Sequence, residues 1–321
     1  MQRLRRRQKK KKTDESAYGF VIVSEIFDIP SKDMNGLDAK LVKFNDLTDL
    51  KEKVIESVEA VYKVLIKELK APNDITYTDH TDNQIASFIV TYFKTKYKIE
   101  NDKKIVLNKG QASKINLTNL KDYLMQHYIL DNIKDKWVGS GDKNLHDMVK
   151  NAVIKNSKYY QSVDENEMKI ELERWFADKN DDTKKTIKPD TKMVLAYLLN
   201  KTAHSLSGKT GMLEFEHIGI KSKLEDEHIL EGISSPSNLT LIPALDNKKK
   251  QRLTYYEYIK LMRNSLFKFS KSDFEKLLYP KHDEIKWAEG TKTIKKAEFE
   301  EFKETRTKML IEKLMSFLYK E

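Results

Sequence analysis

Apolar side chains recur at steps of three and four along much of the chain, and this spacing constrains the fold more than any other feature. Leu50, Val54, Val58, Val61, Leu65 and Leu69 fall on one face of a helix, and Ala71-Pro72 ends the run. The same spacing predicts helices over 83–98, 117–134, 143–155, 165–178 and 188–200, then over 254–266, 271–279 and 292–320. In the last of these, Phe299, Phe302, Met309, Leu310, Leu314 and Phe317 form one stripe. No segment of about 20 to 50 residues repeats, which argues against a solenoid.

With 321 residues, of which 39% are hydrophobic, the chain has the length and the apolar content for two domains. There is no apolar run long enough to span a bilayer and no apolar segment behind the basic N-terminus, so a cytoplasmic protein without membrane contact is expected. Cysteine is absent, which removes disulfides, thiolate nucleophiles and cysteine-based metal sites. Any metal must be held by His, Asp, Glu or Asn. The net charge of +10 is concentrated at one end: MQRLRRRQKKKK, residues 1–12, carries eight basic side chains, and the other 309 residues carry only +2. Such a run either binds phosphate backbones through counterion release or is a solvated extension.

The pattern changes near Ser205-Leu-Ser-Gly-Lys-Thr-Gly. Gly208-Lys209-Thr210 imitates the end of a phosphate-binding loop, but that motif requires Gly where Ala203 stands, and the stretch reads as a turn. A strand candidate follows over Met212–Ile218, then a polar insertion, a second strand over Asn238–Ile242, and a segment rich in Asn, Lys and Gln that opens a helix. The expected organisation is mainly α with a small α+β element: a basic tail over 1–14, a helical domain over 15–204, and a strand-loop-strand-helix element embedded in helices over 205–321.

Glu-His-Ile occurs twice around the insertion. Leu213, Phe215 and His217 alternate with Glu214 and Glu216, so His217 ends a half-buried strand. His228 lies instead in KLEDEHILEGI, an ordinary amphipathic turn. His80, His127, His146, His204 and His282 read as surface or hydrogen-bonded core imidazoles. Two asparagines mark His217 out: Asn238 opens the second strand, and Asn247 lies nine residues further on.

An acid-His pair ending a strand, followed by asparagines at these positions, resembles the HNH, or ββα-metal, nuclease finger. Glu-His-Ile with Asn-Leu-Thr-Leu and a terminal Asn before lysines is similar to the C-terminal domain of GmrSD-type restriction endonucleases. The sequence departs from that family in two respects. Ile220 replaces the Pro usually found three residues after the His, and the family's ParB-like nucleotide-binding half, with its Asp-Gly-Gln-Gln-Arg motif, is missing from this sequence.

The resemblance implies a metal-dependent DNA endonuclease of a restriction or antiviral defence system. His217 would be the general base, since a neutral imidazole can take a proton from water near physiological pH. Asn238 would tie the 219–237 loop and so fix the His. A divalent cation, Mg²⁺ or else Mn²⁺, would be held by the oxygen ligands Asn247 and Glu216. Adjacent strand residues point to opposite faces, so Glu216 and His217 serve together only if the chain bends there. Lys248, Lys249, Lys250 and Arg252 would grip flanking phosphates of the DNA. A partner subunit would supply the ParB-like half, with Phe88, Tyr92 and Phe93 either forming the docking face or filling their own core. The alternative is a non-catalytic helical adaptor that binds nucleic acid and keeps the finger as a fold element. A PD-(D/E)xK nuclease is disfavoured, because no acid and Glu-x-Lys pair lies on consecutive strands.

Overall fold

The computed structural model describes residues 18–30, 33–69, 82–101, 103–137, 141–154, 161–184, 186–210, 213–224, 231–254, 257–258, 271–279 and 293–319. The basic run 1–12, His80, His228, His282 and most of the helix expected over 254–266 lie outside these residues. The chain divides into two compact units, Met1–Leu65 with His80–Val163 and Ile66–Asp79 with Asp164–Glu321.

In the first unit a helical segment over 18–26 precedes α1 (Met34–Leu41), α2 (Leu47–Leu69, of which Leu47–Leu65 belongs to this unit) and α3 (Asp82–Lys96). α2 keeps the predicted face: Leu50, Val61, Leu65 and Leu69 are buried. α3 is the central helix, buried without interruption from Gln84 to Phe93. Phe88, Tyr92 and Phe93 are 0%, 8% and 1% exposed, so they fill the unit's core and do not form a docking face. Gln84 donates to Tyr128 O at 3.1 Å and accepts from Asn132 Nδ2 at 3.1 Å, which links α3 to α4 (Gln111–Ile133). A short hairpin, β1 (Tyr97–Glu100) and β2 (Lys104–Leu107), lies between α3 and α4 within a region expected to be helical. Asn101 turns it with φ of 54°, a left-handed conformation that Asn tolerates. α5 (Gly141–Ile154) packs against α3 through its buried Leu145 and Val149.

The second unit begins with α6 (Glu165–Asn180), capped by the Asp164 side chain, which accepts from Glu167 N at 2.9 Å. α7 (Pro189–Thr210) follows. This helix corrects two expectations. It continues through Ser205 to Thr210, where a turn was read, because one interior Gly costs a helix only about 1 kcal/mol relative to Ala. The expected boundary at 204/205 therefore falls inside a helix, and the compact units divide between Val163 and Asp164 instead. The reason is packing: Leu195 and Leu199 of α7 share one core with Leu213, Leu239, Leu241, Phe299 and Phe302.

β3 (Leu213–His217) and β4 (Leu239–Pro243) pair antiparallel, with Glu214 opposite Ile242 and His217 opposite Leu239. α8 (Ala244–Lys250) follows β4 directly and packs on both strands. After α9 (Lys271–Lys276), the long α10 (Lys296–Leu318) lies against α6, α7 and the turn before β4. Among the described residues the structure is thus mainly helical with two small antiparallel strand pairs. No described helix is long and apolar enough to cross a membrane.

Candidate active site

β3, the turn before β4, and α8 bring His217, Asn238 and the acidic face of β3 into one region. β3 was expected to be covered on one face only, with its glutamates outward. Here α8 covers the glutamate face, and Glu216 is 6% exposed. Glu214 and Glu216 share that face by strand alternation. Asn247 and Lys250, three residues apart on α8, meet them in order: Asn247 Nδ2 donates to Glu214 Oε2 at 3.2 Å, and Lys250 forms an ion pair with Glu216.

His217 closes β3. Its Nε2 lies 3.4 Å from Ser234 Oγ, so the imidazole faces the end of the insertion. Burial, aided by the Lys250 ammonium, lowers its pKa to about 4. The ring is therefore neutral at physiological pH. Burial also pushes the Glu216 carboxyl above its usual range, against the opposing pull of Lys250.

Asn238 sits in a one-turn 3₁₀ segment, Pro236–Asn238, and is fully buried. Its Oδ1 accepts from Gly219 N at 2.6 Å, while Nδ2 donates to Gly219 O at 3.0 Å and to Ile233 O at 2.8 Å. One side chain thus clamps both ends of the insertion two residues beyond His217. Gly219 is required by close approach, since a Cβ there would come within 2.6 Å of Phe299 Cε2. Gly232, at the far end, has φ of +69° and leaves no room for a Cβ beside Asn180 O, 2.4 Å away.

Two residues that sequence reasoning missed support this clamp from α10. Arg306 is 0% exposed and donates to Leu278 O at 2.9 Å, Ser237 O at 2.8 Å and Leu239 O at 2.7 Å, with a longer contact of 3.4 Å to Pro236 O. It grips the carbonyls on both sides of Asn238. Lys303 donates to Asn180 O at 3.1 Å and Glu231 O at 3.2 Å, beside the Glu300 carboxylate. The signal was present in the α10 stripe: between Phe302 and Leu310 the buried positions are cationic, a gap that helical spacing leaves visible.

The other expected residues separate. Lys248, Lys249 and Arg252 are exposed and free to approach a phosphate, but Lys250 is 3% exposed and committed to Glu216, so it does not belong to that surface. Asn247 is half-buried. For the divalent cation implied by the family resemblance, the donors as placed do not fit. Glu216 is answered by an ammonium, Asn247 turns its N–H₂ toward Glu214, and among the described residues no three His, Asp or Glu side chains gather to hold an ion. His127 and His146 have structural partners, Gln161 O at 3.0 Å and Glu25 Oε2 at 3.0 Å.

Comparison with protein-family models, curated proteins and solved structures finds no match to this chain. The likeness to the GmrSD-type finger therefore rests on the motif residues themselves.

Proposed function

We propose that the second unit is a DNA phosphodiester hydrolase, an HNH-type endonuclease of a restriction or antiviral defence system, with His217 as general base. The observation that carries this reading is the seating of His217. It ends β3, burial keeps its ring neutral, and the chain two residues on is clamped by Asn238. In the reaction a water oxygen attacks phosphorus and its proton passes to His217. The P–O3′ bond breaks, and the leaving oxygen takes a proton from solvent. Exposed Lys248, Lys249 and Arg252 hold the flanking phosphates, which fixes the position of the backbone without reading bases.

The second reading, a non-catalytic DNA-binding adaptor, draws support from the buried ion pair on Glu216, which fits a finger retained for its fold. Nicking of supercoiled plasmid by the purified chain, compared with His217→Ala, separates the two. Activity lost in the variant supports the hydrolase, and equal nicking by both proteins rules out His217 as the base.

Specificity is proposed to come from a partner subunit with a ParB-like nucleotide-binding domain, because no helix or ribbon suited to reading base edges is recognisable among the described residues of the finger. The chain alone is expected to cut DNA without sequence preference, and the partner with nucleotide to make cutting selective. Selective cleavage by the isolated chain, measured on modified and unmodified DNA, would overturn this.

A further inference from the structure

We infer that Glu216 is the counter-ion of Lys250 and not a metal ligand, so that the finger holds no divalent cation at the position the family resemblance implies. The inference rests on the hydrolase reading of the same site. Lys250 is built into its place. It is 3% exposed, forms an ion pair with Glu216, and donates to Leu253 O at 3.0 Å. Gln251 supports the second contact: its φ of 48° ends α8 and folds the chain back, and Leu253 N then donates to Lys250 O at 2.9 Å. A side chain held by a strand and by its own returning loop is not a surface lysine resting on a nearby acid.

The neighbouring groups agree. Two oxygen ligands of one cation present oxygens to the same point, whereas Asn247 presents its N–H₂ to Glu214. A carboxylate already neutralised by a buried ammonium has little attraction left for Mg²⁺, and a divalent ion beside that ammonium meets like charge in a medium of low dielectric. Lys250 also acts on the proposed base, since its charge works with burial to keep the His217 ring neutral. The finger so arranged has a neutral imidazole and an exposed edge of Lys248, Lys249 and Arg252, with no ion recruited at Glu216.

The test uses the full chain and Mn²⁺ as the probe. In an electron paramagnetic resonance titration, the wild-type protein is expected to leave the free Mn²⁺ signal equal to that of a protein-free standard up to millimolar metal. Nicking is expected to persist in EDTA and to fall by about 10²- to 10⁴-fold in His217→Ala. One equivalent of bound Mn²⁺ in the wild type, lost in Glu216→Gln, would overturn the inference. If Glu216→Gln does not fold, one bound equivalent in the wild type overturns it alone. Nicking that EDTA abolishes would overturn it too, while leaving the hydrolase reading intact. No nicking under any condition, with no Mn²⁺ bound, would sink the hydrolase reading and still support Lys250 as the partner of Glu216.

Discussion

His217→Ala is expected to lower DNA cleavage by about 10²- to 10⁴-fold, the range over which a positioned general base contributes. The imidazole sits at the end of β3 with its Nε2 toward Ser234. The pH profile carries the sharper signature. A base acts in its unprotonated form, so activity is lost as pH falls through its folded-state pKa. Burial and Lys250 hold that value near 4, below the ordinary 6.5. Wild-type cleavage is therefore expected to stay level from pH 8 down to about 5.5 and to decline only below that. Circular dichroism at each pH separates loss of fold from loss of the base. An acid limb centred near 6.5, or undiminished cleavage by a folded His217→Ala, would remove His217 from the role.

The residues that made His217 legible lie close to it in sequence. A strand of alternating character ending in His, and an Asn opening the next strand, follow from local spacing, and β3 and β4 lie within one residue of the expected strands. The long helices were legible for the same reason, since α2 and α10 repeat their apolar contacts over many turns. Where the signal is short, it failed. β1 and β2 have four residues each, too few for alternation to compete with the helical spacing on either side. The turn read at Ser205 rested on glycine and serine content, and the helical backbone continued through it.

Within the site, the errors come from reading charge as exposure. Lys248, Lys249 and Lys250 look alike in sequence, but a helix turns 100° per residue, so two face outward and the third meets β3. Asn247 is three residues ahead of Lys250 and shares its face, which is why it meets Glu214 while Lys250 takes Glu216. Glu216, read from the sequence as a metal ligand, is instead paired with Lys250 of α8. For Arg306 and Lys303 the α10 stripe shows that they are buried, but their partners were out of reach for another reason. Their bonds close over separations of 28 to 123 residues, and no local period records such a pairing.

Arg306→Met is expected to destabilise the second unit by about 2 to 4 kcal/mol and to reduce cleavage beyond what unfolding explains. Two effects oppose each other here. Burying a guanidinium with no carboxylate among its hydrogen-bond partners is unfavourable, and burial drives its pKa below the ordinary value, so an apolar replacement relieves that strain. Against this, the guanidinium satisfies Leu278, Ser237 and Leu239 carbonyls, and Pro236, Ser237 and Asn238 are all buried. Methionine fills much of the volume but donates nothing, and carbonyls of one tight turn are left facing each other away from water. Several charge-assisted bonds at roughly 1.5 to 3 kcal/mol each outweigh the relief from desolvation. The functional loss follows from position. Arg306 holds the residues on either side of Asn238, Asn238 holds Gly219, and Gly219 fixes the chain leaving His217. Urea unfolding should show a midpoint lower by about 1 to 2 M with little change in slope. Arg306→Lys should recover part of the stability, since an ammonium still donates to this cluster, but with less reach than the planar fork. The effect on the base is read separately, at a urea-free temperature where the variant stays folded. There kcat should fall with KM nearly unchanged, because the exposed Lys248, Lys249 and Arg252, proposed to hold the flanking phosphates, are untouched. A methionine variant as stable as the wild type would mean that relief of the buried charge wins and that the turn holds Asn238 without Arg306.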